Sequence, residues 1–305
     1  MSEKTIDRRT LLASLATSAA GVALSQHSSA GTRVAADSQG IKKWDIVTDV
    51  LVAGSGAAGI SAAIDARRGG ADVLVVEKLN KLGGSSALSG GVIYAGGGTA
   101  LQKALGFSDS VESMYHYIAH SGRKHPHLDK IQRYCEQSVA HFDWLVDNGV
   151  PYNKRFSDSK GLGFDEASLY YSGSEEAWPW RDECKPAPRG HVPWEKGHQG
   201  GKRLMRSLLA SAKKLGVKTQ KRVSGERLVV ESDGRVTGML VNIKGERVAI
   251  KAKRGIVLAC GGFIHNREMV KLYAPELYDC SVPWANAGDL GIGIQMGMGA
   301  GAAAL

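Results

Sequence analysis

The chain has 305 residues, a formal net charge of +9, 43% apolar and 23% charged residues; that balance is the profile of a soluble globular protein and excludes wholesale disorder, a polytopic membrane protein and a disulfide miniprotein. Glycine is the outlier, with 39 residues against 8 prolines and no G-x-y period, which excludes collagen and points to tight turns and close backbone approaches to a ligand. The Lys and Arg residues are scattered, with no run of five, so the basic balance reads as an evenly charged surface and no nucleic-acid partner is expected.

Residues 1–36 read as a targeting segment. Asp7-Arg8-Arg9-Thr10 precedes an apolar stretch of small residues, 11–24, followed by Ser28-Ser29-Ala30 and Val34-Ala35-Ala36, two acceptable small-residue cleavage sites. The stretch is shorter than the roughly 20 residues of a spanning helix, so no stable membrane span is expected. Paired arginines before a mildly apolar segment resemble a twin-arginine export signal, a route that carries folded proteins. Export to the periplasm is the expectation; an ordinary leader, an uncleaved anchor or a cytoplasmic protein are the alternatives.

Residues 48–53 read as a short buried strand that runs into Gly54-Ser55-Gly56-Ala57-Ala58-Gly59, followed by an alanine-rich helix over 60–69 and a second apolar strand over 71–76 ending at Glu77. This is G-x-G-x-x-G in its proper context, with an acid 23 residues after Gly54. Gly54 allows the tight turn, Gly56 lets a pyrophosphate approach the backbone, and Gly59 lets helix and strand pack closely. The helix N-terminus points N–H groups and a positive dipole end at phosphates, and Glu77 can accept ribose hydroxyls. The unit predicts a dinucleotide-binding βαβ.

The chain continues Lys78-Leu79-Asn80-Lys81-Leu82-Gly83-Gly84-Ser85-Ser86-Ala87-Leu88-Ser89-Gly90-Gly91. Two glycine pairs frame small hydroxyl residues that can lay N–H groups and Ser hydroxyls along a diphosphate and a flavin edge. Here the sequence resembles the flavoprotein family of fumarate reductase and succinate dehydrogenase. Ser89-Gly90-Gly91-Val92-Ile93-Tyr94-Ala95-Gly96-Gly97-Gly98-Thr99, with Gln102 soon after, is most similar to its 3-ketosteroid dehydrogenase branch, of the 3-oxo-5α-steroid 4-dehydrogenase type. The resemblance covers roughly 48–305. It implies FAD, a two-domain fold and dehydrogenation of a carbon–carbon bond next to a carbonyl. Gly84 stands where the respiratory branch carries the histidine that bonds FAD, which implies non-covalent FAD.

Asp109-Ser110 reads as a cap for a helix over 111–120. A longer amphipathic helix is expected over 128–148, with Ile131, Cys135, Val139, Phe142 and Val146 facing the core. The loop-rich stretch 151–200 carries Trp178, Trp180 and Trp194, which could line an apolar pocket or form a satellite core. Pro188-Arg189-Gly190-His191-Val192-Pro193 and Gly197-His198-Gln199-Gly200-Gly201 also match the ketosteroid branch; the histidines read more readily as loop-orienting residues than as proton donors. A helix over 202–215 leads to a β-meander with strands at 217–223, 228–231, 236–243 and 247–252 and hairpin turns at Asp233-Gly234 and Lys244-Gly245. A buried strand at 256–259 follows. Val223, Ala259 and Gly261 are expected near the adenosine half of FAD. Cys260 reads as a small buried residue, and none of the four cysteines has haem, zinc or C-x-x-C spacing, so no metal is expected.

Ala287-Gly288-Asp289-Leu290-Gly291-Ile292 resembles the family's G-D-G-I motif with Leu290 inserted, and Asp289 is expected to contact FAD. The last residues, 302–305, read as the interior of a helix, which suggests a fragment lacking most of a capping domain and a last FAD segment. The expectation is therefore an α/β protein: a leader over 1–36 and a Rossmann-like FAD-binding domain with a β-meander over 37–305, carrying a helical and loop insertion at about 100–200. The cofactor set comprises Gly54, Ser55, Gly56, Ala57, Ala58, Gly59, Glu77, Lys78, Gly83, Gly84, Ser85, Ser86, Ser89, Gly90, Gly91, Val223, Ala259, Gly261 and Asp289. No catalytic residue is carried over. The implied substrate is a small, steroid-like molecule, with the electron acceptor open. A reductase of fumarate-like acids, a non-catalytic FAD-binding remnant and a nicotinamide-dependent enzyme are the rivals.

Overall fold

The structure, a computed structural model, describes residues 33–122, 126–159, 166–197, 199–280 and 282–303. The paired arginines, the apolar stretch, Ser28-Ser29-Ala30 and His198 lie outside the described residues. In chain order the elements are β1 (Ala36–Asp37), β2 (Ile46–Ala53), α1 (Ala57–Arg68), β3 (Val73–Glu77), β4 (Ile93–Tyr94), α2 (Ala100–Ala104), α3 (Val111–Ser121), α4 (Leu128–Glu136), α5 (Ser138–Asp147), β5 (Phe156–Ser157), β6 (Leu169–Tyr170), α6 (Trp180–Glu183), β7 (Gly190–His191), α7 (Gly200–Lys214), β8 (Lys218–Lys221), β9 (Val223–Val230), β10 (Val236–Ile243), β11 (Glu246–Leu258), α8 (Arg267–Tyr273) and α9 (Ile292–Gly299).

A seven-stranded sheet runs in the order β1-β9-β10-β11-β2-β3-β8. Strands β11, β2, β3 and β8 are parallel, while β9, β10 and β11 form an antiparallel meander. The inner parallel strands β2 and β3 are covered on both faces, which is why β3 reads as an apolar run up to Glu77. On one face Val52, Val73 and Val75 pack with Ile60 and Ile64 of α1 and Met205 and Leu208 of α7. On the other, Leu51, Leu74 and Val76 pack with Met239, Ile250 and Met296. The crossovers thus place the C-terminal ends of β2 and β3 side by side, the usual ligand edge of an open parallel sheet.

Several elements depart from the expectations. Residues 217–223 do not open the meander: β8 joins β3 in the parallel sheet, Arg222 turns the chain at φ +60°, and β9 starts the meander at Val223. The strands expected at 247–252 and 256–259 are one, β11, with a register shift between Ala252 and Gly255. The helix expected over 128–148 breaks at Gln137, where Ser138 turns inward and its Oγ accepts the Gly96 N–H at 2.9 Å. Past the break Leu145 is buried and Val146 is exposed. The stretch 151–200 contributes to a second, four-stranded sheet, β4-β7-β6-β5, made of two-residue strands too short for any periodicity to mark. α9 closes before residue 302: Gly301 adopts φ +94° and the Ala302 N–H returns to Gly297 O at 3.0 Å, a Schellman-type end. Of residues 33–36, expected within the leader, Ala36 is paired in the sheet through β1.

Candidate functional site

A cleft of about 280 Å³ opens at the C-terminal ends of β2 and β3. Its floor is the turn from β2 into α1. Gly54 sits at φ +107°, and a Cβ there would lie 2.2 Å from Ala259 O; a Cβ on Gly59 would lie 2.0 Å from Gly54 O. Both positions are closed to any side chain, and the backbone is thereby brought to the cleft surface. The first i→i−4 bond of α1 is Ile60 N–H to Gly56 O at 3.0 Å, so the preceding N–H groups have no acceptor within the helix. One of them, on Ala57, donates to Ser86 Oγ at 3.0 Å. The others, with the positive end of the helix dipole, form an anion-binding end.

Glu77 forms the side wall and is buried. Its Oε2 accepts Ser55 N–H at 3.1 Å and Ser55 Oγ–H at 2.6 Å, and its Oε1 accepts Leu79 N–H at 2.8 Å. A carboxylate oxygen has two lone pairs, so Oε1 keeps one for a ligand hydroxyl. Ser55 Oγ in turn accepts the Gly83 N–H at 3.1 Å, which ties the first glycine turn to the second. Lys78, beside Glu77, is half-buried, and burial first and the Arg33 charge second push its pKa down.

The opposite wall comes from more than 200 residues away. Ser85 Oγ–H donates to Asp289 Oδ2 at 2.5 Å and accepts Asn286 N–H at 2.9 Å. Gly261, at φ +78°, passes so close to this carboxylate that a Cβ would lie 2.3 Å from Asp289 Oδ1. The residue inserted before Gly291 is absorbed locally: Asn266 Nδ2–H donates to Leu290 O at 3.1 Å and Gly291 takes φ +74° to start α9. Asp289 is thereby kept in the cleft.

Comparison with known proteins fits this geometry. The family model described as an FAD binding domain matches residues 49–305. The chain belongs to this FAD-binding family. It is 36% identical over 209 residues to the 3-oxo-5-alpha-steroid 4-dehydrogenase of Comamonas testosteroni, covering 67% of this chain and 39% of that one. It is 30% identical over 268 residues to the acrylate reductase flavoprotein subunit of Shewanella woodyi, covering 85% and 47%. Among solved structures, 3-ketosteroid-delta4-(5alpha)-dehydrogenase from Rhodococcus jostii RHA1, in complex with 4-androstene-3,17-dione, superposes with a TM-score of 0.85 at 42% identity, over 88% of this chain and 57% of that one. The chain spans about half the length of the relatives it matches.

As a member of the FAD-binding family, the chain presents a cleft whose residues fit that cofactor. The glycine turns leave room for a backbone-hugging diphosphate, the helix end offers donors to it, and the Glu77 lone pair is available to a hydroxyl. Of the residues expected from the sequence, Gly54, Ser55, Gly56, Ala57, Ala58, Glu77, Lys78, Gly84, Ser85, Ser86, Val223, Ala259, Gly261 and Asp289 line the cleft. Gly59 and Gly83 stand behind it as packing positions. Ser89, Gly90 and Gly91 do not line it. They form a seam with the start of α7, where a Cβ on Gly91 would lie 2.3 Å from Gly200 C and one on Gly201 2.3 Å from Ser89 O. The expected set did not include Ala53, Val76, Gly225, Cys260, Gly262, Asn286, Gly288 and Ile292, which also line the cleft. Gly288 and Ile292 lie inside the quoted G-D-G-I-like motif, the signal that could have revealed them.

The remaining candidates fall elsewhere. Cys260 lines the cleft, but burial and the nearby Glu77 push its thiol up to about 11, which keeps it protonated at neutral pH and supports its reading as a small packing residue. His191 is buried: Nδ1 pairs with Arg189 O at 3.0 Å and Nε2 with Thr99 Oγ1 at 2.9 Å. Burial lowers its pKa to about 4, so it holds a loop as a neutral imidazole. Trp178 and Trp194 are exposed, and Trp180 makes an edge contact with Tyr117; none of the three lines the cleft. No group of His, Cys, Asp and Glu among the described residues could hold a metal ion, and no described helix is long and apolar enough to cross a membrane.

Proposed function

We propose that this chain is the FAD-holding part of an oxidoreductase that dehydrogenates, or in reverse reduces, a carbon–carbon bond next to a carbonyl. The observation that carries this reading is the single cleft assembled from the Gly54–Ala58 turn, Glu77, Gly84–Ser86, Ala259–Gly262 and Asp289. The α1 end would receive the diphosphate, Glu77 Oε1 a ribose hydroxyl, and Ser85 would hold Asp289 toward the cofactor. FAD supplies the hydride-accepting chemistry of such a reaction. Gly84 offers no side chain for a covalent bond, which supports non-covalent FAD.

The substrate class we infer is a 3-ketosteroid, because the Comamonas relative is a steroid 4-dehydrogenase and the Rhodococcus structure holds androstenedione. The 30% identity to an acrylate reductase subunit favours a second reading, reduction of an unsaturated acid. The leader's Arg8-Arg9 pair supports export of the folded protein to the periplasm.

Purified chain is to be freed of its yellow cofactor, which is identified by absorbance and mass, and then assayed with a 3-keto-5α-steroid and with acrylate using artificial electron carriers. FAD with steroid turnover supports the first reading, and FAD with acrylate turnover the second. FAD with neither would leave the chain a cofactor-binding unit, and a chain that takes up no FAD at micromolar concentration overturns the proposal. Cell fractionation tests export.

A further inference from the structure

The edge of the large sheet is closed by the first described residues. The Arg33 N–H donates to Gln295 O at 3.0 Å and the Ala35 N–H to Gly299 O at 3.4 Å, so residues 33–35 lie across the last turns of α9. Arg33 Nε–H donates to Gln295 Oε1 at 3.1 Å and Nη1–H to Glu226 O at 3.4 Å. Ala36 and Asp37 then pair in parallel with Val229 and Val230, and Ser38 Oγ–H donates to Glu231 Oε2 at 2.5 Å. The crossing is close: a Cβ on Gly299 would lie 1.9 Å from Arg33 O.

The other end of α9 belongs to the cofactor cleft. Ile292 lines it, a Cβ on Gly293 would lie 2.9 Å from Cys260 Cβ, and one on Gly225 would lie 3.0 Å from Met296 Cε. The segment therefore presses on a helix whose first turn is a cleft wall. Val34 itself is exposed, so the attachment is made by backbone and by Arg33 rather than by apolar side chains.

We propose that residues 33–37 form a strap that stays on the mature protein and positions α9, and that the leader is removed at the Ala30–Gly31 bond, not at Ala36–Asp37. This rests on the export reading above. Both bonds follow a small-residue pattern, Ser28-Ser29-Ala30 and Val34-Ala35-Ala36, so sequence alone leaves them equal. The structure describes the second, which lies in the docked segment. A peptidase must draw an extended segment into its own site, and residues bonded into a sheet edge reach it only through local opening. A route that exports folded protein presents the peptidase with the strap already docked, and the Ala30–Gly31 bond precedes every contact of that strap. Hydrolysis needs only water, whose oxygen ends on the Ala30 carboxylate and whose two protons end on the Gly31 nitrogen, released as an ammonium.

The test is to produce the full chain with a C-terminal tag in a bacterium competent for twin-arginine export, and to read the first residue and intact mass of the periplasmic form. Gly31 as first residue is expected; Asp37 overturns the proposal. If nothing reaches the periplasm, the export reading fails, and the strap is judged separately. Leaderless chains starting at Gly31, with and without Gly299→Ala, and a chain starting at Asp37 are titrated with FAD and melted. Loss of the strap's few hydrogen bonds is expected to weaken FAD affinity about tenfold and lower the melting temperature in both altered forms. Values equal to those of the Gly31 form overturn the strap. If the Asp37 form does not fold, Gly299→Ala, which keeps every residue of the strap, decides. If the Gly31 form takes up no FAD, the proposed function fails and the melting difference decides.

Discussion

The cofactor cleft and the insertion around Arg189 solve the same problem, holding a loop-rich surface in place, by opposite means. The cleft is built from backbone: glycine turns closed to any Cβ, a helix end, and short serine and carboxylate links. The insertion is built from buried side chains. Asp109 and Arg189 meet as a two-pronged pair, Nη2–Oδ1 at 2.8 Å and Nε–Oδ2 at 3.0 Å, with both side chains fully buried. Asp109 Oδ2 also accepts Gly97 N–H at 3.0 Å, and Gln102 bridges the Gly98 and Thr99 amides to Pro188 O. Burial alone would raise the Asp109 pKa, but the Arg189 guanidinium holds it below the usual carboxylate range. The difference has a physical origin: a diphosphate needs exposed N–H groups and little else, whereas a region whose hydrophobic cluster is small, centred on Leu101, Phe142 and Leu169, needs polar links to take one shape.

The largest expected effect breaks the second region alone. Asp109→Ala leaves a buried guanidinium uncompensated and should cost about 3–5 kcal/mol of stability, read from urea unfolding. Asp109→Leu with Arg189→Met removes both charges and should recover much of that loss. Because the pair shares no direct contact with the cleft lining, folded Asp109→Ala should bind FAD with nearly unchanged affinity. A parallel loss of affinity would show that the two regions are not separable.

Next in size is a pH effect. His191 has a folded pKa of about 4 against an ordinary value near 6.5. The unfolded chain therefore takes up a proton as pH falls below about 6.5 while the folded chain resists it until about 4, so stability drops across that window, by about 2–4 kcal/mol. Above pH 6.5 this group contributes nothing. Unfolding midpoints measured from pH 7 to 4 should fall more steeply in the wild type than in His191→Gln. Equal slopes would mean that the imidazole is not held neutral.

How much could be read from the sequence follows the same division. The βαβ unit, Glu77 and the Gly83–Ser86 turn were legible because a backbone site demands glycine at fixed offsets. The meander was legible in its turns, since Lys244 at φ +54° and Gly245 at φ +93° are what a two-residue hairpin requires. The second sheet was not legible, for its two-residue strands carry no periodicity and are fixed by links such as Thr99 to His191. The break at Gln137 was also invisible: the helical pattern runs through it, and the Ser138–Gly96 bond beside it joins residues 42 positions apart. Ser89-Gly90-Gly91 shows the converse ambiguity. Glycines that look like ligand turns can equally mark two backbones crossing, here against Gly200 and Gly201.

Two substitutions sharpen the first region. Glu77→Gln keeps the shape but removes the charge that three donors share and that the open lone pair offers to a ligand; FAD binding should weaken by about 1.5–3 kcal/mol, the range for hydrogen bonds to charged groups, measured by fluorescence quenching. Gly59→Ala places a methyl 2.0 Å from Gly54 O and should cost about 1–3 kcal/mol of stability by overpacking, with the cofactor turn displaced. If Gly59→Ala bound FAD normally, the close crossing would not be what shapes the turn.

The smallest expected effect concerns Cys260, which lines the cleft and packs against the core beneath it. Its Sγ donates weakly to Ala53 O at 3.3 Å, and burial with Glu77 nearby holds the thiol at about 11. A thiol in that state is a poor nucleophile, so alkylation by iodoacetamide at pH 8 should be slow compared with exposed Cys280. Cys260→Ala removes one sulfur from the Ala259–Gly262 turn, whose other residues carry a methyl or no side chain, so it should cost no more than about 1.5 kcal/mol of stability and change FAD affinity less than threefold. Rapid modification of Cys260, or a large loss of FAD in the alanine variant, would mean that the Ala259–Gly262 turn depends on a side chain after all, and the contrast between the two regions would fail at that turn.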